Sequence, residues 1–269
     1  MIKTRLIACL LIRDGFVVQS IGFEKYYPIG KPDFSVENLN RWDVDEIVIL
    51  DISTNKQSPD LKLIQQFSSK SFIPISVGGG IKCLEDAKKV IGSGADKVVV
   101  NSRAIESPNL ISEISNYLGT QCLIISIDCK YKSNGDYRVY ANGGRTATDV
   151  SPNDWAKQAE KLGAGEILLN SIDRDGSKRG YDIRLIQSVT KEVSIPVIAI
   201  GGGGKFTDFS TAIIDGGATA VAAGNMFHFV EHSTILAKSQ LSIDRVTVRV
   251  NDEINYIDFD TDSTSRILG

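Results

Sequence analysis

The stretch IPISVGGGIK, residues 73–82, returns later in the chain as IPVIAIGGGGK, residues 195–205, with one residue inserted. Each copy consists of a short apolar run, which is typical of a buried strand, and a run of glycines, which permits a sharp turn. Two such copies, far apart in the chain, predict that the protein is built from two related halves.

The segments next to these copies repeat in the same order. SGADKVVVNS (93–102) matches GGATAVAAGN (216–225), and EIVILD (46–51) matches EILLNS (166–171). Eight apolar runs in the chain alternate with amphipathic stretches, a pattern typical of parallel strands joined by helices. The runs cover residues 5–11, 46–51, 73–77, 97–101, 123–128, 166–170, 195–200 and 219–223.

Eight strand–helix units in two related halves predict an α/β fold, a (β/α)8 TIM barrel with a two-fold half-barrel repeat. An open doubly wound sheet also alternates strands and helices, but it gives no reason for the fifth strand to repeat the first. We assign residues 1–235 to the barrel and 236–269 to a short C-terminal extension. In the extension, VTVRV (246–250) and INYIDF (254–259) alternate apolar and polar residues, which makes them the arms of a candidate β-hairpin or a surface ribbon.

The composition of the 269 residues argues against several classes of function. A formal net charge of −3, with Lys and Arg scattered along the chain, predicts no nucleic-acid partner. No apolar run approaches the ~18 residues of a membrane span, and no cleavage pattern follows the first apolar run, so we expect a cytoplasmic protein with no membrane partner. Four cysteines and two histidines without ligand spacing predict no metal and no cofactor.

Glycine runs follow the third and seventh predicted strands, at the end of the barrel where active sites of this fold lie. Backbone N–H groups left accessible by glycine, together with a helix N-terminus, suit the binding of phosphate. A small polar pair follows one strand later in each half, at Asn101–Ser102 and at Gly224–Asn225. These features predict two phosphate cradles for a ligand with a phosphate at each end, although glycines also serve tight turns without any ligand.

A carboxylate ends the fifth predicted strand at Asp128, whereas the matching first strand ends in Leu11. Partial desolvation at the top of a barrel raises the pKa of a carboxylate and makes it a usable general acid or base near neutral pH. Asp51 and Asp175 follow other strands and are weaker candidates, since capping or bracing a loop explains them equally well. A leucine neither donates nor accepts a proton, so any proton transfer is assigned to Asp128.

Four charged residues begin predicted strands at the opposite end of the barrel: Arg5, Glu46, Lys97 and Glu166. Solvated strand ends are the ordinary explanation for such charges. Two cations and two anions at one depth also predict a ring of alternating sign across the barrel floor. Because a barrel interior is normally packed solid, such a ring indicates a gate for something small and polar that enters from below.

Several motifs of the chain resemble HisF, the cyclase subunit of imidazole glycerol phosphate synthase, over residues 1 to about 230. They are VGGGIK (77–82), GADKVVVNS (94–102), GAGEILLNSIDRDGSKRGYD (163–182), SIPVIA (194–199) and FHF (227–229). The resemblance implies a barrel whose N-terminal face docks on a glutaminase subunit. It also implies that ammonia passes the charged ring and reacts at the top with a phosphoribulosyl nucleotide, giving imidazole glycerol phosphate and AICAR in histidine biosynthesis.

The resemblance further assigns site residues. It implies that Asp128 is one of two catalytic aspartates and that Arg5, Glu46, Lys97 and Glu166 form the ammonia gate. Phosphate contacts are implied for Gly79, Gly80, Asn101 and Ser102 on one side, and for Asp175, Gly176, Gly202, Gly203, Gly224 and Asn225 on the other.

The chain departs from the family pattern at its catalytic end. Leu11 stands where the resemblance implies the second catalytic aspartate, Gln19 stands at the position of a substrate-contacting lysine, and Ile200 replaces a small polar residue. The start CLLIRDG (9–15) is similar to HisF paralogues of surface-polysaccharide clusters, in which a glutaminase and a separate sugar amidotransferase amidinate a sugar. We therefore favour an ammonia-supplying subunit. The alternatives are a functional cyclase and a phosphosugar isomerase, which needs no nitrogen donor.

Overall fold

The computed structural model of the chain describes residues 3–32, 39, 43–54, 57–229, 233–251, 254 and 256. Its strands, in chain order, are β1 (Arg5–Arg13), β2 (Phe16–Ile21), β3 (Lys25–Gly30), β4 (Glu46–Asp51), β5 (Ile75–Gly78), β6 (Lys97–Val100), β7 (Leu123–Tyr131), β8 (Tyr137–Ala141), β9 (Thr146–Ala147), β10 (Glu166–Ser171), β11 (Val197–Ile200) and β12 (Ala220–Ala223).

Helices connect the strands. In the described ranges they are α1 (Leu61–Lys70), α2 (Leu84–Gly92), α3 (Ser102–Glu106), α4 (Asn109–Leu118), α5 (Pro152–Lys161), α6 (Ile183–Thr190), α7 (Phe206–Ile214), α8 (Asn225–Phe229) and α9 (Ser233–Ile243). Helix α5 shows why they begin and end where they do: the hydroxyl of Ser151 accepts the N–H of Asp154 at 3.2 Å, and Gly163 with φ +104° follows the last turn.

Eight of the strands are parallel and close into a ring, which confirms the predicted (β/α)8 barrel. The ring runs β1, β4, β5, β6, β7, β10, β11, β12 and back to β1, with β10 also paired to β7. Strands β1 and β7 are the first and fifth of this ring and therefore lie opposite each other. All eight predicted apolar runs are strands of the ring, with bounds that differ by a few residues.

Strands β1 and β7 extend beyond the ring at its C-terminal end, which the sequence analysis did not predict. Strand β1 pairs antiparallel with β2, and β2 with β3, while β7 pairs with β8. The turn between β1 and β2 is Asp14–Gly15, with φ +51° and +81°, the combination that a two-residue type I′ hairpin turn requires. Each half-barrel thus carries a hairpin after its first strand, in keeping with the predicted repeat.

Apolar side chains fill both sides of the ring. The larger cluster lies between the strands and the helices, and a smaller one fills the lumen. Lumen residues follow the alternation of the strands, so that every second residue of β1, from Arg5 to Leu11, faces the axis. The fully buried lumen cluster comprises Ile7, Cys9, Val48, Val99, Ile124, Leu168, Ile198, Ala220 and Ala222.

Helix α9 runs across the assigned boundary between residues 235 and 236 and packs against α7. Of the candidate hairpin arms, the first contains only an isolated parallel bridge, between Val248 and Thr4. Most of the second arm lies outside the described residues, so the hairpin and the division into barrel and extension stay predictions. Within the described ranges, no helix combines the length and the apolar character needed to cross a bilayer.

Candidate functional site

A cavity of about 870 Å³ opens at the C-terminal ends of the barrel strands. Leu11, Leu50 and Ile200 form its apolar bottom, where they pack on the lumen cluster. Asp128 and Asp175 are acidic groups in its wall. The cavity is therefore a mixed site, with an apolar base and a few polar groups above it, as small-molecule sites commonly are.

Asp128, on β7, is a buried carboxylate that two amides hold in place. Asn101 donates its Nδ2–H to Oδ2 of Asp128 at 2.7 Å, and the side chain of Asn170, the register partner of Asp128 on β10, also donates to it. Burial raises the pKa of Asp128 to about 7, and the nearby Asp175 charge adds to the rise, while the two amide bonds oppose it. Near neutral pH the group is therefore able to give or take a proton.

Leu11 occupies the equivalent position on the opposite strand β1. It is partly buried, packs on the lumen cluster and lines the same cavity as Asp128. Ile200, on β11, lies in the same apolar layer. The top of the lumen thus presents a carboxylate on one side and hydrocarbon on the other.

The first predicted cradle surrounds one end of the cavity. Gly79 has φ +111°, and a Cβ there would lie 2.2 Å from the carbonyl oxygen of Asp51, so the turn itself demands glycine. Gly80 also has a positive φ. The side chain of Asn101 is committed to Asp128, and the hydroxyl of Ser102 accepts the N–H of Asn142 at 2.8 Å. Phosphate contacts in this cradle would therefore come mainly from backbone N–H groups.

The residues of the second predicted cradle fall into two groups with different contacts. Gly202, Gly203 and Gly224 line the cavity. Asp175, Gly176 and Asn225 line it as well, but they also hold the turn between β2 and β3, as the following contacts show.

Three contacts fix that turn over the cavity. The hydroxyl of Ser20 donates to Oδ2 of Asp175 at 2.5 Å, and the N–H of Phe23 donates to the same oxygen at 3.3 Å. The amide of Asn225 donates to the carbonyl of Ser20 at 2.9 Å. A Cβ on Gly176 would lie 2.4 Å from that carbonyl oxygen. In this structure these residues clamp the hairpin, which we call the mouth hairpin (residues 16–30).

Sequence reasoning missed Asn170 and the basic residues of the mouth. Asn170 lies on β10 two residues after Leu168 and four after Glu166, so the alternation of the strand signals that it faces the lumen. Its Oδ1 is buried and has no hydrogen-bond partner among the residues that the structure describes. The basic residues that line the cavity include Lys82, Arg103, Arg145 and Lys178.

The four charged residues at the barrel floor form a closed ring of ion pairs. Arg5 lies 2.8 Å from Glu46 (Nη1 to Oε1) and 2.6 Å from Glu166 (Nη2 to Oε2). Lys97 lies 3.2 Å from Glu46 and 2.6 Å from Glu166, in both cases from Nζ to Oε1. The side chains are between 10% and 23% exposed, so the ring lies inside the barrel entrance and not on its outer surface.

The charges of Arg5 and Glu166 in the ring are stabilised by their neighbours in the ring. Burial acts to lower the pKa of Arg5, but hydrogen bonds and charges from Glu166 and Glu46 outweigh it, so that the pKa is raised. Burial acts to raise the pKa of Glu166, but Arg5 and Lys97 outweigh it, so that the pKa is lowered. Arg5 and Glu166 are therefore charged near neutral pH. Among the described residues, no group of three or more His, Cys, Asp or Glu side chains is arranged to hold a metal ion.

Comparison with known proteins matches this chain to one family model. The family model described as "Histidine biosynthesis protein" matches residues 5–233. A protein of Vibrio vulnificus (strain YJ016), named "Putative imidazole glycerol phosphate synthase subunit hisF2", is 41% identical over 268 residues, which is 99% of this chain and 98% of that relative.

Two further relatives are named imidazole glycerol phosphate synthase subunit HisF. The one from Alkaliphilus metalliredigens (strain QYMF) is 42% identical over 243 residues, 90% of this chain and 96% of the relative. The one from Hydrogenobaculum sp. (strain Y04AAS1) is 42% identical over 252 residues, 93% of this chain and 100% of the relative.

Proposed function

Since the chain belongs to the histidine biosynthesis protein family and is related to HisF subunits, we propose that it is the ammonia-accepting barrel subunit of a glutamine amidotransferase complex. The partner is a glutaminase of the HisH type, bound at the N-terminal face of the barrel. The ionic ring of Arg5, Glu46, Lys97 and Glu166 is the observation that carries this proposal.

The ring and the lumen together suit neutral ammonia. Four charges held by one another leave no net charge for an ion to neutralise, and a shift of one ion pair suffices to admit a small polar molecule. Above the ring, the lumen is lined by apolar side chains, which an ammonium ion would enter only at a high desolvation cost. Ammonia carries no charge, so its desolvation along the same path costs much less free energy.

We further propose that this subunit supplies ammonia and does not itself fix it, and that a separate sugar amidotransferase uses the ammonia to amidinate a surface-polysaccharide sugar. Leu11 supports this role, because two carboxylates that act as a unit lose most of their effect when one is absent. The gate is kept while one of the two proton-transfer groups is replaced. The two cradles then bind a small phosphorylated ligand without converting it.

The second candidate is a functional cyclase in histidine biosynthesis. The pKa of about 7 at Asp128 favours it, because this one group is poised for acid–base work, and both glycine cradles line the cavity beside it. In this case water or a phosphate of the substrate takes over the role of the missing carboxylate.

One assay separates the two candidates. The purified chain is mixed with the phosphoribulosyl nucleotide and a high concentration of ammonium salt, and formation of imidazole glycerol phosphate is followed beside the Alkaliphilus relative. We expect no turnover by the wild-type chain and partial turnover by Leu11→Asp. The matched control Leu11→Asn, similar in shape but unable to transfer a proton, should stay inactive.

Turnover by the wild-type chain at the rate of the relative would refute the ammonia-supply role and establish the cyclase. Asp128→Asn gives an independent criterion in the complex with a glutaminase. It should leave glutamine-dependent ammonia release at the barrel mouth unchanged under the first candidate and abolish product formation under the second.

A further inference from the structure

Lys238, on helix α9, has a completely buried side chain, and a buried ammonium group needs acidic partners. Its Nζ lies 2.8 Å from Oδ2 of Asp43 and 3.0 Å from Oδ1 of Asp45. Burial raises the pKa of Asp45, against the opposing effect of Lys238. We call these three residues the floor cluster, because both aspartates lie in the three residues before strand β4, at the N-terminal end of the barrel.

The floor cluster is joined to the ionic ring by the backbone. Oδ2 of Asp45 accepts the N–H of Leu6 at 2.8 Å. Asp45 directly precedes Glu46, and Leu6 directly follows Arg5. Each end of this hydrogen bond is therefore one residue away from a member of the ring, so a change in the cluster acts directly on the backbone that positions the gate.

Described residues that follow helix α9 lie over the same face. We call residues 247–251, 254 and 256 the tail. Near its start, Val248 forms a parallel bridge with Thr4, the residue before strand β1. Near its end, the hydroxyl of Tyr256 donates a hydrogen bond to the carboxylate of Asp43. The tail is thus bonded to the barrel floor at both ends, once beside the ring and once at the floor cluster.

This face presents the surface of a binding site for another protein. Large apolar side chains are exposed on it at the ends of helices and in the tail: Phe72, Tyr117, Ile214, Ile243 and Val250. Exposed basic residues accompany them at Lys3, Arg245 and Arg249. Apolar side chains mixed with basic ones on the rim of a charged entrance fit a partner with a mixed apolar and acidic surface.

We propose that the tail is a binding element for the glutaminase and that it is seated by Tyr256 on the floor cluster. This inference rests on the function proposed above. A partner that delivers ammonia into the ring must cover the rim to keep the ammonia from water, and the tail forms part of that rim. Arg249 and Val250, both exposed, are the tail residues that contact the partner.

The test measures binding of the full-length chain to a glutaminase subunit of the HisH type from the same genome, by titration calorimetry. The variant Arg249→Glu with Val250→Asp changes two exposed tail residues and should weaken the affinity about tenfold or more. The control Lys25→Glu with Tyr27→Asp makes the same kinds of change on the mouth hairpin, at the other end of the barrel, and should leave the affinity unchanged.

Tyr256→Phe tests the hydrogen bond that holds the tail on Asp43. Tyr131→Phe is its control. Tyr256→Phe should also weaken binding, because the tail loses its hydrogen bond to Asp43, and thermal unfolding of each variant shows that the barrel is intact. Wild-type affinity in both tail variants, with a folded chain that binds the glutaminase, would overturn the role of the tail and leave the proposed function standing. Failure of the wild-type chain to bind any HisH-type glutaminase would overturn the proposed function and this inference with it.

Discussion

Arg5 and Glu166 belong to strands β1 and β10, which are not neighbours in the barrel, yet their side chains meet with 2.6 Å between Nη2 and Oε2. The bond therefore crosses the lumen and does not run along its wall. Lys97 makes a second crossing to Glu166 from strand β6. The floor is closed by side chains that reach across the axis, as the gate proposed above requires.

Glu166→Gln should destabilise the protein by about 3 kcal/mol, because it leaves two partly buried cations, Arg5 and Lys97, without a full complement of negative charge. The pKa of Glu166 is lowered in the folded state, so its stabilising effect is present above the ordinary value of 4.5 and is lost as the pH falls below it. Urea unfolding at pH 7 and at pH 3.5 measures both effects.

Glu192→Gln is the matched control for the ring. Glu192 pairs with Lys157 at the surface, where the two side chains are 38% and 49% exposed. Removing that pair should cost much less stability than Glu166→Gln does, because solvent screens exposed charges. Equal losses in the two variants would show that the ring is no more than a set of solvated surface charges.

Asp128→Asn should make the free energy of unfolding less dependent on pH between pH 4 and pH 7. The pKa of Asp128 is raised from 3.8 to about 7, so the folded wild type keeps a proton that the unfolded chain releases, and its stability falls as the pH rises from 4 to 7. This group accounts for a loss of about 4 kcal/mol at most. The variant lacks this loss, so its advantage over the wild type in urea unfolding should grow from pH 4 to pH 7. An advantage that stays constant over this range would contradict the raised pKa.

Asp175→Ala should loosen the mouth hairpin. It removes the acceptor for the hydroxyl of Ser20 and the N–H of Phe23, and loss of about 1.4 kcal/mol of local stability corresponds to roughly tenfold faster amide exchange. Hydrogen exchange read by mass spectrometry over residues 16–30 measures the change.

Asp173→Ala is the control for Asp175→Ala. Its Oδ2 accepts the N–H of Tyr131 at 2.6 Å, at the end of strand β7. This variant should accelerate exchange in the β7–β8 hairpin and leave the mouth hairpin as protected as in the wild type. Faster exchange in both hairpins from either variant would mean that the clamp is not specific to Asp175.

The sequence was sufficient to predict the barrel and its floor because both leave local signals. Buried parallel strands appear as continuous apolar runs, and a charge at the first position of such a run is unusual enough to stand out, as at Glu46 and Glu166. The pairing of β1 with β2 was missed although the Asp14–Gly15 turn carried its signal, since the apolar run of β1 was taken to end at the barrel rim.

The clamp that holds the mouth hairpin could not be predicted in the same way. The contact between Asp175 and Ser20 joins residues that are 155 positions apart, and no local pattern encodes such a pairing. The same holds for Lys238 and its aspartates, since a lysine in a helix is normally read as solvent-exposed. Asn170, by contrast, was within reach of sequence reasoning, because strand alternation places it in the lumen.

Gly79→Ala tests whether the first glycine run is required by the fold as well as by a ligand. A methyl group there would meet the Asp51 carbonyl at 2.2 Å on a backbone with φ +111°, so we expect a loss of about 3 kcal/mol in urea unfolding. Gly92→Ala is the control, because nothing lies within 4 Å of its added Cβ and Gly92 is the last residue of helix α2. That change should stabilise the protein by about 0.5 kcal/mol. A Gly79→Ala variant as stable as the wild type would show that the turn does not require glycine.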